Sequence, residues 1–274
     1  MRAVNQPVSW WGWHWEPPVP MSIVEIIRAG NLNARLAALF WIGLERGASI
    51  IVAADPPSSG KTTTLSALLA FTPPDTLVYF TRGVGETFAL PDRSDAYPTY
   101  ILINEMSDHI PVYTWDDNAR RAFELLAEGY SLATTMHDNT VEGVIQQLEE
   151  DLRIPRRQVA NLTFIVPMHV GREQQIIRRV REVAFLRPNG NDVAVGTLAS
   201  WEPGGDSFRL LEDAAQRAAF TSWAGLSPPD LEAELDRREQ FLDTLAKTGI
   251  ESIPEVNSAI EGFYEKVLRR GPAA

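Results

Sequence analysis

The run Ser49-Ile50-Ile51-Val52-Ala53-Ala54 leads through Asp55-Pro56-Pro57-Ser58-Ser59 into Gly60-Lys61-Thr62, and few arrangements accommodate that order. The apolar run, bounded by Gly47 and Asp55, reads as a buried parallel strand. From Thr62 to Leu69 the spacing of Leu65, Leu68 and Leu69 is helical. Strand, loop and helix in this order are the context a phosphate loop needs. Backbone N–H groups at a helix N-terminus suit phosphate oxygens. The candidate nucleotide-binding residues are therefore Ser58, Ser59, Gly60, Lys61, Thr62 and Thr63. Lys61 would meet the β- and γ-phosphates, and the Thr62 hydroxyl would hold Mg²⁺. Asp55 stands where the pattern G-x-x-x-x-G-K-[ST] has its first glycine. Asp can adopt the left-handed backbone that such a turn asks for. A carboxylate about 8 Å from a phosphate charge costs about 2 kcal/mol at an effective dielectric of 20.

Two further strand ends carry chemistry. Ile101-Leu102-Ile103 runs into Asn104-Glu105-Met106-Ser107-Asp108, and an acid after an apolar strand is where a phosphate-loop enzyme keeps its water-orienting or metal-side carboxylate. Many strands end in solvated acids, so the signal gains weight only beside Lys61. Ser131 to Thr135 is another short strand, and Thr134-Thr135-Met136-His137-Asp138-Asn139 places His137 at its end. The C-terminal ends of parallel strands form the ligand crevice of open α/β sheets. Glu105 and His137 are thus the candidate catalytic residues, with Glu105 a second candidate for the metal.

Strands also fit Thr76 to Thr81 and Thr99 to Ile103. Helices fit the segments around Ile23, Ile26 and Ile27, around Leu32, Leu36 and Leu39, and over Asp116–Tyr130 and Val141–Leu152. Such alternation predicts a parallel sheet covered on both faces. Leu162–Val170, Gln174–Phe185, Asp192–Ala199 and Phe208–Leu211 read as hairpin strands, with turns at Gly171, Pro188 to Asn191 and Pro203 to Gly205. Ser227 and Pro228 open a helix carrying Leu231, Leu235 and Leu242, closed by Gly249. Residues 1–20 form a Trp- and Pro-rich arm with Trp10, Trp11, Trp13 and Trp15. It packs on its own domain or docks a neighbouring subunit.

The net charge of −11 argues against a broad nucleic-acid face, and no direct nucleic-acid partner is expected. Without cysteine there are no disulfides or thiolate metal sites. No apolar run approaches the roughly 20 residues of a bilayer span, and no signal peptide is visible. A cytoplasmic protein is expected.

The order of these motifs resembles the motor ATPases of type II and type IV secretion, type IV pili, Tad pili and the archaellum, in their archaeal and Tad-like branch. Gly60-Lys61-Thr62-Thr63-Thr64-Leu65 is similar to the family's G-K-T-T-T-L. Asn104 to Asp108 falls where the family has G-E-[IVM]-R-D, with Asn104 and Ser107 departing from it. Ala133 to Asn139 resembles A-x-T-x-H-x-N. Ile176 to Phe185, with Arg178, Arg179 and Arg181, looks like the late basic hairpin, and Leu235 to Phe263 like the C-terminal helices. Only Glu86 remains of the acidic box, and about 20 residues stand where the family has a large N-terminal domain.

The resemblance implies a RecA-like α/β P-loop domain over 21–274. Its nucleotide core would span 48–170, its β-hairpin region 171–211 and its C-terminal helices 212–274. It further implies ATP and Mg²⁺ as cofactors, a hexameric ring with arginine fingers from a neighbouring subunit, and membrane association through an embedded secretion or pilus platform. The expected function is ATP hydrolysis driving such a machine. The rival reading is a degenerate nucleotide-binding partner of an active motor, favoured by Asp55 and the reduced acidic box. A DNA-handling ATPase of similar fold is disfavoured by the acidic balance.

Overall fold

The computed structural model describes residues 1–7, 19–172 and 176–270. The expectation for Trp10, Trp11, Trp13 and Trp15 falls outside them. A ten-stranded sheet organises the rest. Strands β1 (Arg2–Ala3), β2 (Ile50–Ala53), β3 (Leu77–Phe80), β4 (Thr99–Leu102), β5 (Ser131–Met136) and β6 (Phe164–Arg172) are all parallel, in the spatial order β1-β3-β4-β5-β2-β6. Beyond β6 the sheet turns antiparallel through β8 (Glu182–Asn189), β9 (Asp192–Glu202) and β10 (Ser207–Leu210), while β7 (Ile176–Val180) folds back on β6. This is the expected α/β class, a mainly parallel sheet with appended hairpins and C-terminal helices.

Period-two alternation divides the core. Ile50, Val52 and Ala54 enter one apolar cluster and Ile51 and Ala53 the other. The first cluster lies under α1 (Ile23–Arg28), α2 (Ala34–Glu45), α3 (Lys61–Leu69), α7 (Ala214–Trp223), α8 (Pro228–Thr248) and α9 (Ile253–Arg270). The second lies under α4 (Asp116–Ala127), α5 (Val141–Gln146) and α6 (Arg156–Val159). A π-helical turn, Gln147–Asp151, continues α5. Ser22 opens α1 through a capping box with Glu25, and Ser227 caps α8, which Gly249 ends at φ 77°. Trp41 stacks on Phe71 with ring centroids 4.7 Å apart, and its Nε1–H donates to Tyr264 Oη at 2.9 Å. That bond ties α2 to α9.

Three local expectations are corrected. Gln174–Phe185 is not one strand: the chain leaves β7 at Val180 and starts β8 at Glu182, so Arg181 marks a break where β6 exchanges one partner for another. Gly171 is no turn but lies inside β6, opposite Ile177. Leu32 precedes its helix, because the Asn33 side chain accepts from Leu36 N–H and so sets the start at Ala34. Among the described residues no helix is long and apolar enough to cross a membrane.

Candidate functional site

Because β2, β4 and β5 are parallel neighbours, the loops after them emerge at one sheet edge. These loops carry the phosphate-loop motif, Glu105 and His137. After β2 the chain takes two left-handed residues, Ser58 at φ 56° and Gly60 at φ 89°, and Gly60 becomes the N-cap of α3. Asp55 is not among the residues with positive φ, so the left-handed turn expected there is displaced to Ser58 and Gly60. Asp55 is exposed, and its N–H donates to Asn139 Oδ1 at 3.0 Å while Asn139 Nδ2 donates to Asp55 Oδ2 at 3.2 Å.

Lys61 is only 5% exposed, and its Nζ donates to Ala54 O at 2.8 Å and lies 3.4 Å from His137 Nδ1. His137 Nε2 sits 3.0 Å from Glu105 Oε1, and His137 Nδ1 is 3.1 Å from Asp55 O. Ser107 Oγ donates to Glu105 Oε1 at 3.2 Å. Lys61, Glu105 and His137, predicted from three separate motifs, therefore meet in one cluster, Lys61 and Glu105 buried and His137 half-buried. Burial pushes the Lys61 amine below its ordinary pKa, against the attraction of Glu105 and Asp55. Burial would raise Glu105, but the hydrogen bond and charge of His137, then Lys61 and Ser107, hold its carboxyl below the ordinary value. The hydrogen bond to Glu105 raises His137 despite its partial burial.

Ser59 is buried and Thr62 half-buried on the first turn of α3. Thr63 Oγ1 donates to Val19 O at 3.4 Å, so this hydroxyl touches the segment preceding α1. The basic hairpin divides its arginines. Arg178 reaches the loop before α3, its Nη2 donating to Ser58 O at 2.9 Å. Arg181 donates to Asn139 O at 3.1 Å. Arg179 turns away and pairs with Asp206 at 2.7 Å. The sequence singled out these arginines without placing Arg178 at the loop, since only strand order brings β7 there. Glu86 accepts from Tyr79 Oη and from the N–H groups of Arg82, Thr87 and Phe88, all at 2.6 to 2.7 Å, which binds its carboxylate to its own loop.

The residues of this loop fit a phosphate-type polyanion. Two left-handed residues set up the loop, and a Cβ at Gly60 would come within 2.9 Å of Arg178 Cδ. Two cationic side chains, Lys61 and Arg178, converge on that loop, which suits a polyanion.

No protein-family model matches the chain. Uncharacterized protein MJ0900 of Methanocaldococcus jannaschii is 26% identical over 293 residues, covering 93% of this chain and 51% of that protein. Uncharacterized protein MJ1287 of the same organism is 23% identical over 255 residues, covering 82% of this chain and 91% of that protein. Among solved structures, the VirB11 ATPase from the Brucella suis type IV secretion system, in complex with sulphate, gives a TM-score of 0.42 at 21% identity, covering 60% of this chain and 54% of the other. The Legionella pneumophila ATPase DotB gives 0.35 at 9% identity, covering 81% and 55%. The chain thus spans about half the length of MJ0900 and of both solved structures.

Proposed function

We propose that this chain binds Mg-ATP at the loop before α3 and hydrolyses it, in the service of a secretion- or pilus-type assembly. The observation that carries the reading is the meeting of Lys61, Glu105 and His137 beside the Gly60-capped start of α3. Phosphoryl transfer to water needs positioning and charge neutralisation more than covalent chemistry. Bound Mg-ATP would supply the phosphoryl group and the metal's charge. Lys61 and Arg178 would neutralise phosphate oxygens, and Thr62 would hold the metal. Glu105, kept ionised by its neighbours, would orient the attacking water, and His137, bonded to that carboxylate, would contact the γ-phosphate. The motif resemblance supports a homo-oligomeric ring with arginines contributed between subunits, docked on a membrane platform.

A second reading, a nucleotide-binding partner with little turnover, is favoured by one observation: Glu86, the remnant of the acidic box, is bonded into its own loop. Hydrolysis assays across protein concentration decide between them. Turnover that rises with concentration, and that falls strongly in Glu105→Gln while ATP binding persists, supports the motor. Absence of turnover above background at every concentration hands the protein to the second reading.

A further inference from the structure

The loop after β4 holds a histidine that nucleotide chemistry leaves unused. His109 stands edge-on to His137, with ring centroids 5.5 Å apart and an interplanar angle of 68°. Donor atoms of Glu105, His109 and His137 all lie within 4.8 Å of one another. Among the described residues this is the one such group of three.

The surrounding hydrogen bonds fix which atoms face inward. Asp55 O accepts from His137 Nδ1–H and the Glu105 carboxylate accepts from Nε2–H, so an ion bound at Nε2 takes the place of that second proton. The Ser107 hydroxyl gives its hydrogen to Glu105, so it accepts from His109 Nδ1 at 3.3 Å, which leaves His109 Nε2 as a lone pair. Histidine ligands commonly donate their second N–H to a backbone carbonyl or polar side chain, which fixes ring and tautomer. Both rings here have that support.

We propose that Glu105, His109 and His137 form a site for a divalent first-row transition ion, Zn²⁺ by preference, through one carboxylate oxygen and the Nε2 atoms of both histidines. Two imidazoles and one carboxylate with an open position are a zinc-type ligand set, whereas Mg²⁺ and Ca²⁺ favour oxygen. Ligand atoms about 2.0–2.1 Å from a tetrahedral ion lie about 3.3 Å apart. His137 and Glu105, at 3.0 Å, are already near that spacing. His109 closes the remainder by side-chain rotation, which its 64% exposed side chain allows. Lys61 opposes the ion's charge from the far side of His137, while Asp108, 4.0 Å from His109 Nε2, favours it. An ion bound here takes Glu105 away from water, so Zn²⁺ inhibits hydrolysis. That consequence rests on the proposed function; the binding does not.

The purified full chain is titrated with Co²⁺, whose visible spectrum separates four- from six-coordination, and then with Zn²⁺ as competitor, all without nucleotide. The expected result is a four-coordinate spectrum displaced by Zn²⁺. His109→Ala weakens Co²⁺ binding about tenfold or more. His109→Asp recovers part of it, and both variants keep wild-type Mg-ATP affinity. Lys61→Ala keeps the metal spectrum, which separates failure of this site from failure of the nucleotide site. A six-coordinate spectrum, no displacement by Zn²⁺, or His109→Ala binding as tightly as wild type overturns the proposal.

Discussion

Asn139 holds Asp55 at two points, its Oδ1 accepting the Asp55 N–H at 3.0 Å and its Nδ2 donating to the Asp55 carboxylate at 3.2 Å. The residue that stands where the phosphate-loop pattern has its first glycine thus ties the loops after β2 and β5 together through its backbone N–H and its side chain. Its charge also faces Lys61.

The two roles separate by substitution. Asp55→Asn removes the charge and keeps a side chain that can bond Asn139. It should tighten Mg-ATP binding by up to about tenfold, or 1.4 kcal/mol, with the gain shrinking as salt rises. Asp55→Gly removes the charge and the side-chain bond to Asn139 together, keeping only the backbone N–H bond, and should gain less. Calorimetry at low and high salt reads both, and equal affinities for Asp55→Asn and wild type at low salt would discard the charge effect.

Arg178 supplies the second cation. Its guanidinium rests on Ser58 O, where a phosphate would be a stronger acceptor than a neutral carbonyl. Arg178→Ala should weaken Mg-ATP binding about tenfold while leaving the melting temperature nearly unchanged. An unaltered affinity would confine Arg178 to holding the empty loop.

The hairpin that presents Arg178 is anchored by its neighbour. Arg179 and the Trp201 indole N–H hold the Asp206 carboxyl down to about 2. A depressed carboxyl pKa gives stability that is present above the unfolded value and lost as pH falls through the folded one. The window here is about pH 4 to 2. The gap in melting temperature between wild type and Asp206→Asn should be open at pH 5 and narrow steadily below pH 4. A gap that does not change with pH would mean the ion pair contributes nothing.

Trp41 joins α2, α9 and the turn at Phe71 with no exposed surface. Trp41→Ala should cost about 3–5 kcal/mol. It also leaves Tyr264 Oη with its remaining bond to Phe71 O. Denaturant unfolding checks this, and a loss below about 1 kcal/mol would contradict the packing described.

Local signals explain what the sequence disclosed. The unbroken apolar run from Ile50 to Ala54 marks a strand buried on both faces, and Gly60 before Lys61 marks a left-handed helix start. Ser22 with Glu25, and Ser227 with Pro228, are helix openings readable residue by residue. Strand order has no such signature. Nothing in Arg178 itself says that β7 lies beside the loop after β2, because that follows from β6 pairing with β2. The break at Arg181 sits within one continuous β-rich stretch and was invisible for the same reason. His109 lies in an aperiodic loop, and only the fold sets it beside His137. The helix Ala214–Trp223 lies within the stretch 212–274 expected to be helical, and its opening is legible in Asp213, which accepts from the N–H groups of Ala215 and Gln216.

The central claim is that Lys61 holds a nucleotide, and calorimetric titration of Mg-ATP into wild type and Lys61→Ala tests it most directly. Lys61 is buried with its cation on Ala54 O and beside His137, so its loss removes the positive charge at the base of the loop. Wild type should bind saturably and Lys61→Ala should lose at least about tenfold in affinity while still folded by circular dichroism. Equal binding by the two proteins would contradict it.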